Sequence, residues 1–272
     1  MSSLFNIFKD FFIGICVGSF LNVVIYRLPN DTSIINPRSY CPKCKNKINW
    51  YHNIPILSWF ILKAKCIYCS TSISIRYPVV ELITGILFII SNKATPYFYY
   101  FNISNPFEKI FSWFILSILL AISFIDFEHF WIPQSLINFG CLIGIVNLLF
   151  IEFYKVDFYE QSIILKGIFG ALASYLIFEL LRVFSKFVFK KDALGKGDSK
   201  LVAMLGIWLG PLGIILGIGI SYVLASIYLL IGFQIKKIRK GQLIPFGPFL
   251  SIGGLIVWYF GNDTLLRVIY RL

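Results

Sequence analysis

Thirteen of the 272 residues are Asp or Glu, and most lie in polar stretches. Glu81, Asp126, Glu179 and Asp198 instead lie within or at the ends of long apolar runs. A carboxylate in such surroundings is expensive and marks a functional site by default. Asp126 closes one run in FIDFEHFWIP (124–133), and Asp198 opens another in GKGDSK (195–200). Facing each other, two aspartates would share a proton, because two negative charges a few Å apart repel. The ionised member takes a proton from water while the protonated member donates to the carbonyl oxygen of a peptide bond. That is aspartic-protease chemistry, and it needs no nucleophilic Ser or Cys. Plainer roles exist. Asp198 fits a helix cap, and Asp126 beside Glu128 and His129 fits a solvated turn. Gly195 and Gly197 free the backbone to deliver Asp198 to a wet cavity just inside the membrane surface, and Lys196 could bias which carboxyl ionises first. Glu81 and Glu179 could pair with Arg76 and Arg182, in structural or substrate-contacting roles.

A second group of chemically capable residues is Cys41 and Cys44 in CPKC and Cys66 and Cys69 in CIYC, with 21 residues between the pairs. Two such knuckles can present four thiolates tetrahedrally to one ion, and zinc is the default because it needs no redox chemistry. A pair of disulfides and a rubredoxin-like iron site are the alternatives. Cys16 and Cys141, inside apolar runs, read as small hydrophobes, and His52 reads as a surface or packing residue.

The elements that must position these groups follow from composition. Apolar residues make up 58% of the chain and charged residues 14%, against about a quarter charged in soluble domains. The expectation is an all-α polytopic membrane protein of about eight transmembrane helices with a small zinc-binding cytoplasmic insert. The apolar runs lie near 8–28, 78–91, 109–126, 132–152, 163–184, 198–209, 212–234 and 245–262, the second and sixth being short. Residues 1–28 form the first span, too long for a cleaved signal; 29–77 form the cytoplasmic insert, and 78–272 the remaining transmembrane domain. Gly14/Gly18, Gly206/Gly210 and Gly213/Gly217 would let helices approach closely.

Net charge is +12. Eighteen of the 25 Lys and Arg fall in one set of loops (27–76, 182–200 and 236–240), and seven on the other side. The positive-inside rule puts the larger set in the cytoplasm. An even number of spans then leaves both termini outside, in the inner (cytoplasmic) membrane of a bacterium. The basic loops face anionic lipid, and no motif of nucleic-acid recognition is present.

Taken together, these stretches resemble the prepilin peptidase family, the type IV leader peptidases. The resemblance runs through GSFLNVVIYRLP (18–29), both cysteine knuckles, WYHNIPILSWF (50–60), RYPVVELITG (76–85), the Asp126 segment, GKGDSKLVAMLGIWLG (195–210) and IPFGPFLSIGG (244–254). It implies a membrane aspartic endopeptidase whose catalytic pair maps onto Asp126 and Asp198. Its substrates would be prepilins or pseudopilins, cut after a glycine that ends a short basic leader at the cytoplasmic face. It also implies N-methylation of the new N-terminus with S-adenosylmethionine, for which no donor-binding residue is assigned. Two positions depart from the family: Lys196 where a small residue is usual, and Gln134 where an Asp often follows the Pro. The competing reading is a transporter or assembly scaffold with a zinc docking module; its carboxylates would sit near the bilayer midplane, whereas Asp126 and Asp198 are expected at one face.

Overall fold

The computed structural model describes residues 2–91, 106–154, 162–190, 195–239 and 242–270. The chain forms two compact units, Met1–Asn92 and Lys93–Leu272, and the described residues are helical with no named strand.

In the first unit, α1 (Ser2–Arg27) and α3 (Arg76–Ile90) flank the polar insert, which contains the single-turn α2 (Leu57–Ile61). The two long helices touch backbone to backbone. A Cβ on Gly14 would lie 2.7 Å from the Gly85 Cα, and one on Gly18 would lie 2.7 Å from the Glu81 Cα. Small residues are what permit that approach. Where α1 leaves its apolar run, the buried Arg27 binds the carbonyls of Ser33, Ile34, Pro37 and Arg38 at 2.7–3.4 Å. One guanidinium thus organises the first turn of an insert that has little apolar core of its own.

In the second unit, α4 (Pro106–His129) ends where Phe130 takes φ 53° and Pro133 bars further helix. Next come α5 (Gln134–Tyr154), α6 (Ile163–Phe189), α7 (Lys196–Gln234), α8 (Gly247–Phe260) and α9 (Asn262–Tyr270). Buried Ile115, Leu119, Ile122 and Ile125 of α4, Leu201 and Leu205 of α7 and Leu250 of α8 make up much of its core. The exposed stripe Leu165, Phe169, Leu172, Leu176 and Leu180 on α6 recurs at helical spacing, as a lipid-facing surface does.

The length of α7, 39 residues, would be about 58 Å if straight. It is not straight. Gly210 has φ 67° and ψ −179°, and Pro211 follows. A Cβ on Gly254 would meet Leu205 on the first arm, whereas Gly253 and its neighbour lie against Gly217 on the second. Two adjacent glycines touch points twelve residues apart along α7, so the arms fold back side by side. A left-handed φ favours glycine, and proline removes the amide that would carry the helix through.

The expected count of eight spans is not confirmed among the described residues. Five helices of the described chain are long and apolar enough to cross a membrane (α1, α4, α5, α6 and α7), or six if α8 and α9, bent by 96°, form one broken span. At 15 residues, α3 is shorter than a full span, and the predicted runs at 198–209 and 212–234 are the two arms of α7, which break at Gly210. The even-number argument for the termini therefore loses its support. Of the basic residues counted for orientation, Lys93, Lys155, Lys191, Lys240 and Arg271 lie outside the described residues. Long apolar helices make the chain an integral membrane protein.

Candidate functional site

Asp126 sits in the last turn of α4, and Asp198 in the first turn of α7; both are buried. The fold brings them together: the Asp126 charge acts directly on Asp198. One oxygen of Asp198 accepts the Gly195 N–H at 3.0 Å, while the Asp198 N–H donates to the Gly195 carbonyl at 3.1 Å. Asp198 thus caps α7 as the plainer reading had it, and the same cap fixes the side chain's rotamer and leaves its second oxygen out of the cap.

Asp126 is held from the opposite side. Its Oδ2 accepts the backbone N–H of Gly247, at the start of α8, at 2.9 Å. A Cβ on Gly247 would lie 2.7 Å from that oxygen, so only glycine lets the backbone come this near. Ile132 packs between the two anchoring loops, against Gly197 and Gly247, which keeps an apolar wall beside the carboxyls. Tyr222, on the returning arm of α7, lies within the field of Asp198 and stacks its ring at 5.2 Å from Phe246. Along a straight helix these positions would be about 36 Å apart; the fold-back at Gly210 is what sets them level. Neither Gly247 nor Tyr222 was singled out from the sequence. Gly247 lies in the IPFGPF stretch, whose glycine between prolines was a visible signal without an assigned role.

Around this pair, Glu179 takes Arg182 at 2.7 Å, as expected. Gln134 accepts from Lys200 Nζ, linking the start of α5 to α7. Glu128 and His129 form an exposed pair at 3.9 Å.

The first unit carries the cysteine cluster. In each knuckle the first Cys N–H bonds a carbonyl five residues on, Asn46 or Thr71, and a residue in left-handed geometry, Lys45 (φ 61°) or Ser70 (φ 54°), turns the chain. Isolated bridges Tyr40–Lys47 and Lys65–Ser72 close the two loops identically. The four Sγ atoms of Cys41, Cys44, Cys66 and Cys69 lie within 4.8 Å of one another, Cys41 and Cys69 at 3.8 Å. A disulfide needs about 2.05 Å, whereas a tetrahedron of metal–sulfur bonds of about 2.3 Å has edges of about 3.8 Å. The cluster can hold a metal ion, and the geometry fits zinc. The Thr71 hydroxyl and N–H bring Cys69 down to about 6. At Cys44 an Asn46 backbone bond pulls down, but burial and the neighbouring thiols push it up to about 11. Four thiolates in one place repel, and a divalent cation relieves that repulsion.

Glu81 lies 7% exposed where α3 meets the insert. Its Oε2 accepts the Ile56 N–H at 2.6 Å. Ile56 has φ 62° and ψ −54°, with Leu57 N–H on the Pro55 carbonyl at 2.6 Å: a γ-turn of the rare hand. For a β-branched residue that conformation costs about 1–3 kcal/mol and persists only where surroundings enforce it.

Comparison with known proteins adds the relationship. The family model described as Bacterial Peptidase A24 N-terminal domain matches residues 12–94, and that of the Type IV leader peptidase family matches 113–230. The chain is 40% identical over 216 residues to a prepilin leader peptidase/N-methyltransferase of Myxococcus xanthus, covering 78% of this chain and 59% of that one. A protein of the same description from Neisseria gonorrhoeae is 32% identical, covering 94% of this chain and 91% of its own. The type 4 prepilin-like proteins leader peptide-processing enzyme of Escherichia coli is 33% identical, covering 90% and 91%. No solved structure matches.

Proposed function

The chain belongs to the type IV leader peptidase family, and from that premise we propose that it removes the basic leader of prepilins or pseudopilins in the membrane and then methylates the exposed N-terminus. Asp126 and Asp198 are the catalytic pair. One carboxylate takes a proton from water as its oxygen adds to the scissile carbonyl, and the other donates a proton to the developing oxyanion. Collapse breaks the C–N bond, the amine leaves with a proton, and the leader keeps a C-terminal carboxylate. The observation that supports this most is the convergence of two buried aspartates from different helices, each with one oxygen anchored by a glycine N–H. Anchoring fixes the carboxyl geometry before substrate arrives. Ile132 keeps water limited, which strengthens the charge interactions of the transition state.

Cleavage falls at the cytoplasmic face, with the basic loops against anionic lipid. Cys41, Cys44, Cys66 and Cys69 hold one structural zinc, which staples an insert too small to fold on its core alone. When bound, S-adenosylmethionine would supply the methyl group for the new N-terminal amine. No observation favours the transporter or scaffold reading. Incubating the detergent-solubilised protein with a prepilin and weighing the product tests both activities. Loss of the leader and gain of one methyl are expected; an intact precursor would refute the peptidase.

A further inference from the structure

Large apolar side chains stand open on one side of α2. Leu57, Phe60 and Ile61, at helical spacing, are 58%, 64% and 71% exposed. The rest of the same turn faces protein. Ser58 is buried with its hydroxyl on the Tyr51 carbonyl at 3.3 Å, and Trp59 Nε1 donates to the Ile73 carbonyl at 3.1 Å. Three such side chains open together on one helical turn mark a surface that something covers.

The level of this surface follows from two contacts. The N–H of Ile56, the residue before α2, is held by Glu81, five residues into α3. Glu81 in turn lies against α1, where a Cβ on Gly18 would be 2.7 Å from the Glu81 Cα. Gly18 precedes Arg27 by nine residues, about 13 Å along the axis, and falls well inside the apolar span Leu4–Asn30. The side of α3 bearing Val79, Leu82, Ile86 and Ile90 is exposed at helical spacing, as a side facing lipid is. α2 therefore starts beside the ends of α1 and α3, not beyond them.

The charge next to α2 selects the occupant. The helix ends where Lys63 and Ala64 take φ 49° and 56°, and the exposed Lys63 and Lys65 follow the apolar turn directly. Residues 29–77 hold seven Lys or Arg against one Asp. Apolar and aromatic side chains bordered by lysines match the boundary between acyl chains and anionic headgroups. A basic peptide would meet repulsion there.

We propose that Leu57, Phe60 and Ile61 dip into the bilayer leaflet at that end of α1, with Lys63 and Lys65 among anionic headgroups, so that α2 is an interfacial anchor for the insert. The inference goes beyond the peptidase reading and does not depend on it.

Photolabelling of the full-length, zinc-loaded protein in lipid nanodiscs tests it, with labelled peptides mapped by mass spectrometry. One probe is phosphatidylglycerol carrying a diazirine in its acyl chain, in a bilayer of phosphatidylglycerol and phosphatidylethanolamine; the other is a water-soluble diazirine. The exposed α6 stripe from Leu165 to Leu180 is the lipid-facing standard. Lipid label at 57–61 within about threefold of that stripe is expected, with little aqueous label. Aqueous label without lipid label would mean that the face stands in water. Neither label would mean that protein covers it, a second copy or another part of the chain. Either result overturns the proposal. Exchanging both phosphatidylglycerols for phosphatidylcholine should lower the label at 57–61 at least about twofold and leave α6 unchanged. Equal label in the neutral bilayer overturns the assignment of the two lysines to anionic headgroups.

Discussion

The backbone N–H of Gly247 donates to Oδ2 of Asp126 at 2.9 Å, across 121 positions of sequence. This bond makes a glycine at the start of α8 a positioning group for a carboxylate at the end of α4. Replacing Gly247 with Ala would put a Cβ 2.7 Å from that oxygen and force the carboxyl to turn. Prepilin cleavage by Gly247→Ala should fall at least about tenfold in kcat, since small misplacements near the reacting atoms are costly. KM and the melting temperature should hardly move. Full kcat in a folded variant would show that Asp126 needs no such anchor.

Asp126→Asn and Asp198→Asn keep the shape of each side chain but remove its proton chemistry. Each should lower cleavage by about 10²-fold or more. The amide oxygen that Asp198→Asn introduces can still accept the Gly195 N–H, so α7 keeps its cap and folding should survive. Single-turnover cleavage of a prepilin, with circular dichroism of each variant, provides the check. Normal cleavage by either would remove that residue from the mechanism.

Close helix contact is testable with matched glycines. A Cβ on Gly206 would lie 2.6 Å from the Gly170 backbone, while one on Gly219 would meet nothing within 4 Å. Gly206→Ala must push α6 and α7 apart and should destabilise by about 1–3 kcal/mol. Gly219→Ala, on the same α7, should be neutral or stabilise by up to about 1 kcal/mol through lower chain entropy. Thermal unfolding in one detergent compares them. A reversed order would mean that the crossing is looser than the geometry indicates.

Acid should release the cysteine-bound ion. Thr71 holds Cys69 at about 6, below the ordinary thiol value of about 8.5. A group whose folded pKa is depressed contributes above its unfolded value, and that contribution is lost as pH falls through the folded one. Metal binding depresses it further. One zinc per chain should therefore persist at pH 7 and at the metal-free value of about 6, and leave only as pH falls further below it; elemental analysis after dialysis at each pH reads this. Cys66→Ser should lose the metal at every pH. A folded, active protein without metal would show that the ion is dispensable.

Much of this was legible in sequence because the rules involved are local. Two C-x-x-C pairs limit the geometry to a metal knuckle or disulfides, and the 3.8 Å between Cys41 and Cys69 Sγ excludes a disulfide between those two. Gly195 and Asp198 sit three residues apart, the span of a helix cap, so their mutual hydrogen bonds follow from spacing. Span counting fared worse. Hydropathy sees apolar residues but not direction: the break between the runs at 198–209 and 212–234 falls at the Gly210 kink, but that the two arms fold back side by side was not legible.

The sequence by itself determined an apolar helical membrane chain, a tetracysteine insert and two aspartates at the ends of apolar runs. These follow from composition and near-neighbour spacing, which every copy of the chain carries before it folds. Only the tertiary structure decided that Asp126 meets Asp198, that Gly247 and Tyr222 join them, and that Glu81 grips a strained turn beside an open cavity. Such meetings depend on where α7 doubles back and which glycines let helices touch, and these are settled by packing among residues far apart in the chain.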